Sequence, residues 1–248
     1  MDKSERRVAL IAGAGGGIGE AVSRRLARDG IAVWLGGHRN PEARERCAGE
    51  IVREGGRADA ISLDLRDPES PGCACQEIFD RAGRLDILVN CAAVNAEEPA
   101  AGMSDDTWRR VIEVNLDGAF RLCRAAVKFM ILGRWGRIVN FSSVSAVRGG
   151  RGQINYAASK AGVEALTRVL ALELGRKGVL VNCIAPGVIE TTLSERIRRD
   201  HAAELLEHIA LHRFGAPAEV AELAAFFVSD AAAYITGQVV RVDGGMSL

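Results

Sequence analysis

The chain withholds the bulk signals that would send it to a nucleic acid or into a membrane. Its 248 residues hold 32 lysines and arginines against 32 aspartates and glutamates, so no net charge is available to draw a polyanion or a lipid surface. No apolar run approaches the length that spans a bilayer, and the opening MDKSERRVALIAGAGGG carries no cleavage-site pattern. The six cysteines, at 47, 73, 75, 91, 123 and 183, show neither C-x-x-C pairs nor a dense disulfide framework. They fit a reducing, cytoplasmic interior, where a free thiol behaves as a small hydrophobe. No Pro/Ser-rich linker, low-complexity tract or compositional break divides the chain, so 1–248 reads as one domain. What is present is nearly half hydrophobic, enough for a substantial core.

Short apolar runs alternate with longer amphipathic ones throughout. RVALIAG, AVWLGG, DAISLDL, DILVNCA, RIVNFSS, VLVNCIAP and QVVRVDGG read as strands. IGEAVSRRLARDG, PEARERCAGEIVREGG, PESPGCACQEIFDRAG, the run 104–131, INYAASKAG with the VEALTRVLALEL that follows it, and APAEVAELAAFFVSD read as helices. Such alternation predicts an α/β fold: a single Rossmann-type doubly wound parallel sheet of about seven strands with helices on both faces. One stretch breaks the rhythm. Residues 187–214, polar and mostly helical, follow a strand at the end where ligands bind, which makes them a candidate lid.

ALIAGAGGGIGEAVSRRLARDG joins the first strand to the first helix through glycines. Gly13 suits a tight turn, Gly17 lets backbone approach a pyrophosphate, and Gly19 lets helix and strand pack closely. The helix start then offers amides to phosphate. The second strand ends VWLGGHRN, with Gly36 and Gly37 where an NAD-binding chain commonly carries an acid. His38 and Arg39 follow, and a guanidinium there suits a 2′-phosphate, so NADPH is preferred over NADH. A solvent-facing Arg39 at a helix start is the alternative. Asp64, at the end of the third strand, suits either an adenine amino group or a helix cap.

INYAASKAG places Tyr156 and Lys160 four residues apart in a helical stretch, hence on one face. An ammonium beside a phenol favours phenolate and lowers a pKa otherwise near ~10, making the tyrosine usable as acid or base.

With these residues in place, the chain resembles the short-chain dehydrogenases/reductases over essentially its whole length. AGAGGGIG (12–19) is similar to that family's T-G-x-x-x-G-I-G, with Ala12 for threonine, and NCAA (90–93) is similar to N-N-A-G, departing at Cys91 and Ala93. Asn115 in VIEVNLDG, Ser143 thirteen residues before Tyr156, the YAASK segment and APGVIET (185–191) complete the likeness. Segments such as VNCIAPGVIETTL are most similar to the 3-oxoacyl-[acyl-carrier-protein] reductases.

The resemblance implies a catalytic set of Asn115, Ser143, Tyr156 and Lys160. Ser143 would hold the substrate oxygen, Lys160 would also bond the nicotinamide ribose, and Asn115 would hold a water feeding protons to Lys160. It further implies cofactor contacts at Ile18, Leu65, Asn90, Pro186, Gly187, Ile189 and Thr191, the last doubling as a possible helix cap. The implied reaction is NADPH-dependent reduction of a 3-oxoacyl thioester. Rivals are another ketone or alcohol (acetoacetyl-CoA, a polyketide, a sugar, a steroid) and a non-catalytic dinucleotide sensor. A homotetramer is implied too, and Arg134 and Lys177 fall where carrier-binding basic residues occur, with Lys128 and Arg176 nearby; ordinary surface charge is the other reading. Arg148 and Arg151 flank the catalytic loop. His208 and His212 are four apart, but no third ligand is evident and no metal is expected.

Overall fold

The structure, a computed structural model, describes residues 7–248. The first six residues of the single-domain reading lie outside the described residues. Seven strands, β1 Val8–Ala12, β2 Ala32–Gly37, β3 Arg57–Ser62, β4 Ile87–Asn90, β5 Gly136–Phe141, β6 Val179–Pro186 and β7 Val239–Val242, form one sheet. Their order is β3-β2-β1-β4-β5-β6-β7, and every neighbouring pair is parallel.

Parallel neighbours need crossovers, and the amphipathic runs supply them. The helices are α1 Gly17–Arg28, α2 Pro41–Arg53, α3 Ser70–Ala82, α4 Asp105–Ile112, α5 Gly118–Leu132, α6 Ser145–Arg148, α7 Ile154–Leu174, α8 Glu195–Glu207 and α9 Pro217–Val228. Two layers of core result. Ala9 and Ile11 of β1 pack with Val22 and Leu26 of α1, Ile51 of α2 and Phe227 of α9. Leu10, between them in sequence, joins Ile78 of α3, Leu122 and Met130 of α5 and Leu174 of α7 on the other face. Each such buried side chain contributes about 1.5–3 kcal/mol, so both layers hold the strand ends firmly.

Strand order reverses between β1 and β4: the chain first builds outward through β2 and β3, then returns to the other side of β1. A crevice opens at the carboxyl ends of strands where connections diverge in this way. Gly13, Asn90, Ser143 and Gly187 all lie at or just past such ends.

Two details depart from the sequence pattern. β3 forms over Arg57–Ser62 instead of 59–65; as an edge strand with alternating exposure it lacks the strongly apolar signal of β2 and β6. The run 104–131 is not one regular helix, because a π-helical turn at Glu113–Asp117 separates α4 from α5. The segment 187–214 contains a short 3₁₀ turn, Thr192–Ser194, and then α8. Since α8 ends at Glu207 and His212 has φ 51°, His208 and His212 do not share a helix face. Among the described residues no three His, Cys, Asp or Glu side chains converge as metal ligands, and no helix is long and apolar enough to cross a membrane.

Candidate active site

Gly13 has φ +80°, and a Cβ there would stand 2.7 Å from the Ala92 nitrogen. The turn is therefore wedged between β1 and the chain leaving β4. Gly13 and Ala14 both donate to the Gly36 carbonyl of β2, at 2.9 and 3.1 Å. A Cβ on Gly19 would meet the Gly13 oxygen at 2.4 Å, so the close approach of α1 depends on that glycine. On Gly17 a Cβ would come 3.0 Å from Thr191 Cγ2, across the groove from α1. Asn90 at the tip of β4 is buried, with its Oδ1 lacking a hydrogen-bond partner. A glycine cradle facing a helix start and an orphaned buried acceptor fit a dinucleotide well.

At the other wing of the groove, His38 and Arg39 are exposed, and His38 Nδ1 lies 3.6 Å from Asp64 Oδ2. Asp64 is held by the Arg66 side chain at 3.0–3.2 Å and by its amide at 3.0 Å, and this hydrogen bonding keeps its carboxyl below the usual range. It caps no helix: α3 begins at Ser70, whose Oγ accepts from the Asp64 amide. Leu65 is buried, and its Cβ lies 2.7 Å from where a Cβ on Gly118 of α5 would be.

Ser143, Tyr156 and Lys160 line one cavity of about 420 Å³, together with Ile18, Pro186, Gly187, Ile189 and Thr191. Thr191 stands at the N-cap of the 3₁₀ turn as well, with Ser194 Oγ accepting from its amide at 3.3 Å. Lys160 is buried, and its Nζ donates to the Phe141 carbonyl at 2.8 Å. Burial lowers its pKa to about 8. Burial pushes the Tyr156 phenol up to about 12, against a hydrogen bond with Ser143 that pulls it down. The sequence argument expected Lys160 to depress this phenol. In the chain by itself the ammonium is turned to a carbonyl, 5.6 Å from the centre of the Tyr156 ring, and desolvation dominates.

Asn115, in the π turn, is buried outside the cavity. Its Oδ1 accepts from the Val94 amide at 2.8 Å, and its Nδ2 donates to the Val94 carbonyl and to Ser159 Oγ at 2.9 and 3.1 Å. The side chain is thus occupied in pinning the segment after β4 to α7. Ser142, next to Ser143, donates to Glu164 Oε1 of α7 at 2.9 Å, which ties the start of the Ser143 loop to α7.

Sequence reasoning missed part of the cavity wall. Glu97 accepts from Gln153 at 2.9 Å and from Asn95 at 3.1 Å, and it pairs with Arg196 of α8. Leu193, Ile197, Leu205 and Met246 give the opposite wall an apolar surface. Arg148 reaches the Met246 carbonyl. Arg44 of α2 was missed as well: it is buried against Gly37 and donates to the Arg39 carbonyl at 2.5 Å. Position 44, one turn inside a helix that directly follows a Gly-Gly strand end, was the available signal.

Arg134 and Lys177 lie elsewhere. They precede β5 and β6, at the amino ends of the strands, in adjoining turns where the Arg134 oxygen crowds Gly178.

A family model described as Enoyl-(Acyl carrier protein) reductase matches residues 13–247. The 3-oxoacyl-[acyl-carrier-protein] reductase FabG of Aquifex aeolicus is 40% identical over 245 residues, covering 98% of each chain. The short-chain reductase protein NovJ of Streptomyces niveus is 40% identical over 249 residues, covering 98% of this chain and 94% of its own. A crystallised Sinorhizobium meliloti protein, named after the short-chain alcohol dehydrogenases, superposes with TM-score 0.92 at 35% identity over 97% of this chain and 96% of its own.

Proposed function

We propose, for a chain that belongs to the short-chain dehydrogenase/reductase family and is therefore an NAD(P)-dependent oxidoreductase, the NADPH-dependent reduction of a 3-oxoacyl thioester carried by an acyl carrier protein. The observation that carries the reading is the convergence of Ser143, Tyr156 and Lys160 on a cavity whose other wall is apolar. That wall suits an acyl chain, and relatives named as 3-oxoacyl-[acyl-carrier-protein] reductases support the substrate class.

Ile18, Pro186, Gly187, Ile189 and Thr191 would hold a nicotinamide beside Tyr156, where it would supply the hydride for a substrate carbonyl. Ser143 donates to the carbonyl oxygen and holds it as negative charge develops. With its pKa raised to about 12, Tyr156 is fully protonated at neutral pH, the state required of the group that delivers a proton to that oxygen. Lys160, poised by the Phe141 carbonyl, stabilises the phenolate left behind and would bond the nicotinamide ribose. Asn115 acts on this geometry by holding Val94 and Ser159, and through them the cavity wall and α7. Residues 187–214 act as the lid, with Arg196 tied to Glu97 across the cavity mouth.

The absence of an acid at Gly37, with cations beside it, supports NADPH over NADH. Exposed Phe120 and Leu132 on α5 and Val169 and Leu172 on α7 support a homotetramer built on those helices. Arg134 and Lys177, in the turns before β5 and β6, would dock an acidic carrier. Six free cysteines suit a cytoplasmic setting.

A second reading, reduction of a smaller polar ketone, draws on the hydrophilic side of the same cavity, where Asn95, Glu97 and Gln153 stand. Nicotinamide absorbance followed with acetoacetyl-carrier protein, acetoacetyl-CoA and small ketones separates the two. Clear preference for the carrier is the result expected; turnover confined to small ketones overturns the thioester reading.

A further inference from the structure

Arg44 is a buried cation for which the fold offers no counter-charge. It is only 5% exposed, its Nη1 has the neutral Arg39 carbonyl as acceptor, and its Nε has no hydrogen-bond partner. No ion pair among the described residues neutralises it; Glu45, the neighbouring residue on α2, acts on it through the field alone. Burying a guanidinium this way, with its Nε unpartnered and no carboxylate beside it, is costly to the fold. The chain nevertheless clears room for it. A Cβ on Gly37 would sit 3.3 Å from Arg44 Cδ and Nη1, and one on Gly15 would sit 3.5 Å from Cγ. Those two glycines belong to the end of β2 and to the glycine-rich turn, the elements that bracket a dinucleotide's adenosine ribose. Asn40, at φ 53°, lets α2 start at once after β2 and brings its first turn over Gly37.

We propose that Arg44 is the specificity residue that receives the adenosine 2′-phosphate, with Gly37 serving both to omit a repelling carboxylate and to admit the guanidinium. The inference deepens the NADPH reading and rests on it. A phosphate provides the missing anion and takes the planar fork bidentately. Exposed Arg39 then contributes from the rim, and its carbonyl sets the angle of the Arg44 side chain.

Calorimetric titration of the full chain with 2′,5′-ADP and with 5′-ADP tests this without turnover. Wild type is expected to favour 2′,5′-ADP. Arg44→Met, which keeps the apolar stem, is expected to lose about 10- to 100-fold in affinity for 2′,5′-ADP and to keep its 5′-ADP affinity. Arg44→Lys should recover part of the loss. If Arg44→Met weakens both ligands equally while Arg44→Lys restores both, the residue is a strut and the assignment is overturned. If the wild type discriminates and Arg39→Ala abolishes that while Arg44→Met does not, the assignment fails but the NADPH reading stands. If the wild type does not discriminate, the NADPH reading itself fails.

Discussion

The two ends of the sheet handle charge in opposite ways. At the amino ends, Asp86 is buried and takes the Val8 amide at 2.7 Å and the Arg84 guanidinium at 2.7 and 2.9 Å. Arg7 and Arg137 lie over Trp135, and both are answered by Asp230 at 3.3 and 3.7 Å. At the carboxyl ends, Lys160 and Arg44 each face a carbonyl instead of a carboxylate, and Asn90 Oδ1 faces nothing. The amino end answers its buried charges with carboxylates, leaving only Arg137 Nε without an acceptor among the described residues, whereas the carboxyl end sets its buried cations against neutral carbonyls. Since a buried cation without a counter-charge costs folding free energy, the carboxyl end is the one that gains from an anionic ligand.

Substitutions at each end sharpen this contrast. The largest effect is expected at the carboxyl end: Tyr156→Phe should lower kcat by about 10³-fold with dinucleotide affinity little changed. Full turnover in that variant, measured by nicotinamide absorbance, removes Tyr156 as the acid. At the amino end, Asp86→Ala should cost about 3 kcal/mol of stability in urea unfolding and leave KM for the dinucleotide unaffected. An equal fall in cofactor affinity would break the division between the ends.

Lys160→Met should do the reverse and stabilise the cofactor-free protein. Burial takes this ammonium from its ordinary 10.5 to about 8, a penalty of about 3 kcal/mol while the native lysine remains charged. Below pH 8 both folded and unfolded chains are protonated and the full penalty stands. Between pH 8 and 10.5 the unfolded chain holds more protons, so wild-type stability rises with pH and the advantage of the methionine shrinks. Thermal unfolding at pH 7 and pH 10 checks this, and a pH-independent difference would contradict it. The smallest effect expected is from Arg134→Glu with Lys177→Glu, which should raise KM about tenfold for carrier-bound substrate alone. The same rise for a small ketone would mean that the amino end has no docking role.

What the sequence made legible follows from the physics of each signal. β2 and β6 were readable to the residue because AVWLGG and VLVNCIAP are dominated by buried apolar residues, interrupted in β6 only by Asn182, and close on glycine or proline. The boundaries of β3 were not, since RADAIS is half exposed at an edge. Nothing in VIEVNLDG announces a π turn, which depends on Asn115 reaching Val94 twenty-one residues upstream. The spacing of Tyr156 and Lys160 was visible, whereas their electrostatics were not, because desolvation and the Phe141 carbonyl are properties of the folded chain. Arg44 escaped for a related reason: in PEARERCAGEIVR an arginine looks like solvated helix surface until Gly37 is seen to make way for it.

The ammonium held against the Phe141 carbonyl also bears on how long the protein survives. A ligand that binds only the folded chain adds RT ln(1 + [L]/Kd), about 2.7 kcal/mol at a hundredfold excess over Kd. That is close to what the buried lysine costs the empty chain at neutral pH. Resistance to proteolysis should therefore track the free dinucleotide concentration, and a cell short of the dinucleotide would clear its cofactor-free copies first.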